Sequence, residues 1–206
     1  MEKVGVVTVT YNSESVLKPF LDDLFSQTFK NFVLYVIDNA SEDSTLQILD
    51  AVSDERLNLK CNEDNIGVAA ANNIGIKNAK RDNCSHVLIL NNDIHFSNNL
   101  LLDLLSTLRN INCGMVVPKI MYYDDKNIVW YAGGGFSKKK GYLPYHNGFN
   151  KNDNLIYNQS KFVDYAPTCC LLIKKEVFED VGFMDEKYFV YFDDADFLYR
   201  VKKEGK

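Results

Sequence analysis

The sequence has no excess of positive charge, no long apolar run and no closely spaced pair of cysteines typical of a metal site. Its 23 Lys and Arg residues are outnumbered by 28 Asp and Glu residues, for a formal net charge of -5. A surface that binds nucleic acid needs concentrated Lys and Arg, so we expect no nucleic-acid partner. No apolar run approaches the roughly 20 residues that span a bilayer, so any membrane association would be peripheral. The one basic triplet, Lys138–Lys140, is more typical of a solvated loop than of a contact with an anionic membrane.

The cysteines do not form a recognisable disulfide framework or zinc motif. Their number, five, is odd, Cys169 and Cys170 are adjacent, and no C-x-x-C spacing occurs. Reduced thiols in a cytoplasmic protein are the simpler explanation. The N-terminus also lacks the basic and then apolar pattern of a signal peptide. We therefore predict a cytoplasmic location, either free or at the inner face of the membrane.

Alternating strand and helix patterns over the first half predict an α/β protein. A chain of 206 residues with 46% hydrophobic residues suits one compact domain. Strands alternate with amphipathic helices up to about residue 110, which predicts a mostly parallel sheet with right-handed crossovers. The expected strands of this half are Val4–Thr10, Phe32–Ile37, Leu57–Cys61 and Val87–Leu90.

The second half lacks this alternation and predicts a small antiparallel part. Phe162–Ala166 and Cys169–Ile173 have strand character, and Gly133–Gly135 is expected to end a strand. Residues 136–160 show little periodicity, which predicts a long loop. A loop of this length in a compact domain is usually functional or mobile. A final helix is expected over Asp194–Lys203.

Polar residues follow three of the first four predicted strands. They are Thr10-Tyr11-Asn12, Asp38-Asn39 and Asn91-Asn92-Asp93. The carboxyl ends of parallel strands meet at one edge, where open α/β sheets bind ligands. Asp93 beside short amides suits a hard divalent cation that a substrate's phosphates also hold. Asp38 would accept the ring N–H of uracil or thymine, although all three segments are also ordinary turn sequences.

A second acidic cluster, Asp193, Asp194 and Asp196, lies at the predicted start of the last helix. The helix dipole favours negative charge there, so capping is one explanation. The other is general-base chemistry, because neighbouring like charges in a partly apolar setting raise a carboxylate pKa toward operating pH. The residues alone leave both explanations open.

These motifs together resemble a known enzyme family. Val9-Thr10-Tyr11-Asn12, Ile37-Asp38-Asn39-Ala40-Ser41-Glu42-Asp43, Asn65-Ile66-Gly67 with Asn72-Asn73-Ile74-Gly75, Leu90-Asn91-Asn92-Asp93 and Phe192-Asp193-Asp194-Ala195-Asp196 occur in order. The chain resembles family-2 inverting glycosyltransferases of the GT-A fold over essentially its whole length. It looks most similar to the rhamnosyltransferase-like branch that builds bacterial surface polysaccharides.

The resemblance implies a fold and a reaction. The fold is one Rossmann-like GT-A domain over residues 1–206, with a nucleotide-binding half (1–110) and a sugar and acceptor half (111–206). Because similar proteins commonly continue beyond this point, we expect the second half to be incomplete at its C-terminal end. The reaction is a single displacement that moves a sugar from a UDP- or dTDP-linked donor to a hydroxyl of a glycan or lipid-linked acceptor.

The resemblance also implies roles for individual residues. Asp194 would be the general base, with Asp193 and Asp196 as acidic support or as contacts to the acceptor, and Asp93 would hold Mn²⁺ or Mg²⁺. The residues expected to contact the nucleotide are Thr10, Tyr11, Asn12, Asp38, Asn39, Asn65, Gly67, Asn72, Asn91 and Asn92. The chain departs from the family pattern at Asn91, where the metal motif usually begins with a carboxylate, and at Asp193, where Glu is common.

Two alternatives to this function remain. A non-catalytic nucleotide-sugar-binding module would bind the donor without needing a base. A nucleotidyltransferase would need a Gly-rich basic loop after the first strand, and Thr10–Ser13 is neither Gly-rich nor basic. A dehydrogenase is disfavoured because the G-x-G-x-x-G motif is missing.

Overall fold

The computed structural model describes residues 2–205. Its strands are, in chain order, β1 (Val4–Thr10), β2 (Phe32–Asp38), β3 (Leu57–Cys61), β4 (His86–Leu90), β5 (Met115–Val116), β6 (Ile120–Met121), β7 (Ile128–Tyr131), β8 (Gly134–Ser137), β9 (Leu143–His146), β10 (Lys151–Asn152) and β11 (Cys170–Lys174). Its α-helices are α1 (Glu14–Phe25), α2 (Thr45–Asp50), α3 (Val68–Arg81), α4 (Leu100–Ile111), α5 (Lys175–Val181) and α6 (Asp193–Lys203). Two short 3-10 turns cover Lys138–Lys140 and Leu155–Asn158.

The central sheet has six strands in the order β3-β2-β1-β4-β11-β5. The first four in this order are parallel, and β11 is antiparallel to both of its neighbours. The predicted mostly parallel sheet is therefore confirmed. Since β1 lies between β2 and β4, the strand order reverses there, and such a switch point opens a crevice at the carboxyl ends of the strands. Because β11 pairs directly with β4, the two predicted halves share one sheet, and a boundary near residue 110 stays a prediction.

Helices cover both faces of this sheet. On one face α3 packs very closely, because small residues line the contact: a Cβ on Gly75 would lie 2.3 Å from Val7 Cγ1. A Cβ on Gly5 would lie 2.4 Å from the Cβ of Ala79 on the same helix. On the other face, buried leucines of α1 and α4 form a second apolar layer. All five residues of β4 are buried, as expected for a strand with helices on both sides.

Two predictions for the second half were wrong. Residues 162–166 form no strand but only an isolated bridge between Tyr165 and Gly134. Phe162 is 81% exposed, so no neighbouring strand covers this segment, and Pro167 beyond it has no N–H to donate. The second is the long loop over residues 136–160: β7 ends before the glycines, as expected, but Gly134 and Gly135 then begin a new strand, β8, which pairs with β9. A Cβ on Gly134 would lie 2.5 Å from the Tyr145 carbonyl, so glycine is what allows this close pairing.

The region predicted as a long loop therefore contains a β-hairpin, β8–β9, whose tip carries the basic triplet. Within residues 2–205, no helix has the length and apolar character needed to cross a membrane.

Candidate active site

The three polar strand ends meet at one edge of the sheet, as the sequence predicts. Thr10 at the end of β1 is in register with Asp38 at the end of β2. The Thr10 hydroxyl donates a hydrogen bond of 2.7 Å to Asp38 Oδ1. Beyond β4, the amide nitrogen of Asn92 donates to the Val9 carbonyl at 2.9 Å and to Ser13 Oγ at 3.2 Å. These bonds join the ends of β2, β1 and β4 into one rim.

Asp38 is fully buried at this rim. In addition to the Thr10 bond, its carboxylate accepts hydrogen bonds from the Ser41 hydroxyl at 2.6 Å and the Ser41 backbone N–H at 2.9 Å. These three bonds order the turn after β2. Its predicted contact with a nucleobase requires a neighbouring segment to move, and that contact stays a prediction.

The turn after β1 is locked to the turn after β2 and presents one free aromatic ring. Asn12 has φ = 51°, its N–H donates to Ser41 Oγ at 2.9 Å, and its Oδ1 accepts from the Glu42 N–H at 2.8 Å. Tyr11, between this turn and β1, is 53% exposed. Its ring is therefore available to lie against a planar ligand at the rim.

The other predicted nucleotide residues hold the loop that leads into α3. Asn39 donates a hydrogen bond of 3.2 Å to the Gly67 carbonyl, and Asn65 Oδ1 accepts one of 3.0 Å from the Gly67 N–H. Asn72 is buried on α3. The loop is thus fixed beside the rim, and the side chains of Asn39 and Asn65 are engaged with it rather than free.

A segment from the second half of the chain packs on the start of α3. The Phe189 carbonyl accepts a hydrogen bond of 2.7 Å from the Val68 N–H. Gly67 has φ = 84°, and a Cβ there would lie 2.6 Å from the Phe189 carbonyl oxygen. Asn73, which we did not predict as a site residue, donates to the Met184 carbonyl at 2.9 Å and accepts from the Met184 N–H at 3.1 Å. These contacts place the residues just before α6 against the predicted nucleotide half.

Asp93 is the free carboxylate of the rim. It is exposed, and no described group donates a hydrogen bond to it or forms an ion pair with it. Asn91 beside it is also exposed, and its backbone N–H donates to the Cys169 carbonyl at 2.9 Å. Asp93 and Cys169 both line a cleft of about 1010 Å³ that extends toward β6.

The free carboxylate of Asp93 fits a Mg²⁺ or Mn²⁺ ion that a substrate also coordinates. Among residues 2–205, no three His, Cys, Asp or Glu side chains are grouped to hold a metal by themselves. Mg²⁺ is commonly bound through one or two carboxylates and the phosphates of a substrate, which one free carboxylate at a cleft permits.

The second carboxylate of the candidate site is that of Asp194, and a hydrogen bond from a tyrosine holds it in place. Asp194 is half-buried in the first turn of α6, where its Oδ2 accepts a hydrogen bond of 2.6 Å from the Tyr165 hydroxyl. Burial and the nearby Asp194 charge raise the pKa of Tyr165, so its hydroxyl stays protonated as a donor. Tyr165 is itself fixed: its carbonyl accepts from the Tyr131 hydroxyl at 2.6 Å, and its ring stacks on His146 with centroids 5.8 Å apart.

Cys169 lies near both carboxylates: it lines the cleft together with Asp93, and it comes four residues after Tyr165, which holds Asp194. Burial raises its pKa to about 12, and the charges of Asp93 and then Asp194 contribute to the same increase. The structure therefore brings together a free carboxylate and a hydrogen-bonded carboxylate that lie 101 positions apart in sequence.

The other two acidic residues have different environments. Asp193 is buried, its Oδ2 has no hydrogen-bond partner, and burial followed by the charge of Asp194 raises its pKa. Asp196 Oδ2 accepts from Arg200 Nε at 2.8 Å, and the same guanidinium donates to the Val181 and Phe183 carbonyls. Asp196 thus holds the arginine that anchors α6 to the end of α5, and its predicted contact with the acceptor stays a prediction.

Comparison with known proteins identifies similar chains. The model of the family described as Glycosyl transferase family 2 matches residues 5–182. The low-salt glycan biosynthesis hexosyltransferase Agl10 of Haloferax volcanii is 27% identical over 208 residues, covering 100% of this chain and 63% of that protein. The dTDP-rhamnosyl transferase RfbF of Shigella flexneri is 26% identical over 205 residues, covering 98% of this chain and 64% of that protein. The chain thus spans less than two thirds of the length of these relatives.

Solved structures with the same fold include two glycosyltransferases. Residues 1–349 of S. aureus TarS superpose with a TM-score of 0.70 at 19% identity, covering 97% of this chain and 55% of that one. The mannosyltransferase PcManGT from Pyrobaculum calidifontis, in complex with GDP-Man and Mn²⁺, gives 0.69 at 18% identity, with 98% and 52% covered. The expected GT-A fold is therefore confirmed.

Proposed function

Because the chain belongs to glycosyl transferase family 2, we propose that it moves a sugar from a UDP- or dTDP-linked donor to a hydroxyl of a glycan or lipid-linked acceptor. The observation that carries this proposal is the pair of carboxylates near Cys169: Asp93, which is unpaired and lines the cleft, and Asp194, which the Tyr165 hydroxyl holds. One is free for a metal-bound diphosphate, and the other is held in place to accept a proton. The names of the relatives support a nucleotide-sugar donor: one is a hexosyltransferase and the other a dTDP-rhamnosyl transferase.

The proposed chemistry is one displacement with inversion. The acceptor oxygen attacks the anomeric carbon while the bond from that carbon to the diphosphate oxygen breaks, and Asp194 takes the proton of the attacking hydroxyl. Tyr165 fixes the direction in which the Asp194 carboxylate points. A metal held by Asp93 would offset the charge that grows on the departing diphosphate. We propose the synthesis of surface polysaccharide as the setting, in keeping with the glycan-biosynthesis name of the Haloferax volcanii relative.

Nucleotide binding gives the first test. At a concentration about 100 times Kd, UDP or dTDP with Mn²⁺ is expected to raise Tm by roughly 5–10 °C, because a ligand that binds only the folded state stabilises it. The shift should be small with EDTA and in Asp93→Asn, which removes the free carboxylate. Asp103→Asn, an exposed carboxylate on α4, is the matched control and should keep the full shift. A shift in Asp93→Asn equal to that of the unchanged chain would refute the metal role.

The hydrogen bond from Tyr165 to Asp194 gives a second test. Tyr165→Phe is expected to lower kcat by about 5-fold, the effect of roughly 1 kcal/mol from one hydrogen bond. The loss should appear in kcat rather than in donor binding, because this bond orients the carboxylate that faces the acceptor. Tyr131→Phe removes a bond of the same 2.6 Å length from this cluster without touching Asp194. If both variants lower kcat equally, Tyr165 has only a structural role.

A further inference from the structure

The tip of the β8–β9 hairpin and the end of α6 come together on the surface. Tyr142 follows the hairpin tip, and its ring centroid lies 5.4 Å from that of Tyr199 on α6. Phe136 on β8 contacts the same Tyr199 ring at 5.5 Å. These ring contacts place the basic triplet of the hairpin beside the last turn of α6. We call the combined surface the basic aromatic patch; it consists of Lys138, Lys139, Lys140, Tyr142, Leu143, Tyr199, Lys202 and Lys203.

The lysines of this patch are exposed and carry an excess of positive charge. Lys138, Lys139 and Lys140 have no ion-pair partner among the described residues, and Lys203 Nζ lies 5.3 Å from the Tyr199 ring centroid. Lys202 pairs with Asp164 at 2.5 Å, and Glu204 follows Lys203 in sequence. Five lysines set against these two acidic residues leave an excess of three positive charges. This local excess occurs on a chain whose formal net charge is -5.

Apolar and aromatic side chains are interleaved with these lysines. Tyr142 is 47% exposed and Leu143 is 46% exposed, next to the triplet on the same hairpin. Aromatic rings with a polar end favour the interface between lipid and water, and lysine stems can lie on apolar surface with their charge in water. Basic residues near an anionic membrane surface are attracted to it, and exposed apolar side chains that can insert strengthen the contact.

We propose that the basic aromatic patch docks the protein on an anionic lipid bilayer. The positive excess complements the lipid headgroups, and Tyr142 and Leu143 lie where they can enter the interface. The sequence favoured a solvated loop because it showed only the triplet; the fold adds the lysines of α6 and the aromatic residues between them. This proposal does not depend on the proposed transfer reaction.

The position of the patch has a consequence that rests on the proposed function. Phe136, beneath the patch, contacts the Tyr165 ring at 5.6 Å, and Tyr165 holds Asp194. A docked bilayer would therefore lie only a few side chains from the proposed general base. An acceptor anchored in that bilayer could present its hydroxyl to Asp194 without leaving the membrane.

The test is vesicle co-sedimentation of the untagged 206-residue chain. Vesicles of phosphatidylcholine alone are compared with vesicles that also contain phosphatidylglycerol, at low and at high salt. We expect binding only to the anionic vesicles, and much weaker binding at high salt because salt screens exposed charges. Replacing Lys138, Lys139 and Lys140 together with Gln should lower the partition coefficient by about 10- to 100-fold, since each basic residue contributes to the attraction.

A matched variant distinguishes the effect of the patch on membrane binding from the effect of net charge. Lys30, Lys60 and Lys175 are exposed lysines outside the patch, and replacing them together with Gln changes net charge by the same amount. This variant should keep its binding within about 2-fold. Equal losses in the two variants, equal binding to neutral vesicles, or no binding by the unchanged chain would each overturn the proposal. Nucleotide thermal shifts on the same variants are expected to be unchanged, so failure of membrane binding is distinguishable from failure of the proposed function.

Discussion

Replacing Asp194 with Asn is expected to lower kcat by about 10²–10⁴-fold, the usual contribution of a positioned general base. The amide has nearly the same shape and can still accept the hydrogen bond from Tyr165. It cannot take a proton from an acceptor hydroxyl. The loss should therefore appear in kcat at saturating donor and acceptor, with initial rates of sugar transfer as the measurement.

Donor binding provides the control for this prediction. The Tm increase with nucleotide and Mn²⁺ should be the same in Asp194→Asn as in the unchanged chain, because Asp93 and the rim are intact. Asp103→Asn, an exposed carboxylate elsewhere, should keep full activity. If Asp194→Asn binds donor and transfers sugar at the normal rate, another group is the base, and buried Asp193 would be examined next.

The same variant distinguishes the proposed enzyme from a non-catalytic binding module. A module that only binds a nucleotide sugar has no proton to remove, so Asp194→Asn would leave its function unchanged. The environment of Asp194 favours the enzyme. Tyr165, Tyr131 and His146 build a rigid setting around this one carboxylate, and binding the nucleotide half of a donor would not require that setting.

The parts of the site that follow from strand order could be predicted from sequence. Thr10, Asp38 and Asp93 each follow an apolar run, and parallel strands necessarily bring such ends to one edge. Periodicity thus predicts which residues share the rim. It does not predict what each side chain bonds there, and so it could not show that Asp38 is already satisfied by Thr10 and Ser41.

The parts that depend on contacts distant in sequence could not be predicted. Tyr165 reaches Asp194 from 29 positions away, in a segment with strand-like composition that forms no strand. Asn73 binds the Met184 backbone across 111 positions. No local pattern marks either residue, because each owes its role to the way β8, α3 and α6 pack. The motif around Asn72 and Asn73 indicated that this part of α3 is important. It did not show which of the two side-chain amides binds the backbone of the second half of the chain.

Replacing Gly67 with Ala is expected to lower the free energy of unfolding by about 2–4 kcal/mol and Tm by roughly 5–15 °C. Two effects add. The backbone at φ = 84° and ψ = 169° is a conformation nearly restricted to glycine. In addition, the new Cβ would lie 2.6 Å from the Phe189 carbonyl oxygen and 2.9 Å from Phe189 Cα, so one backbone must move. Thermal denaturation followed by circular dichroism measures the change.

Gly182 offers a control that separates these two effects. It has nearly the same backbone conformation, φ = 78° and ψ = -166°, but a Cβ there would meet no atom within 4 Å. The loss of Tm in Gly182→Ala should therefore reflect only the strained backbone conformation. The difference in Tm between the two variants then measures the steric effect of the contact with Phe189. Since that contact positions the chain leading to Asp194, Gly67→Ala should also lose transfer activity at temperatures where both variants are folded. Equal losses of Tm and activity in the two variants would mean that this contact does not support the site.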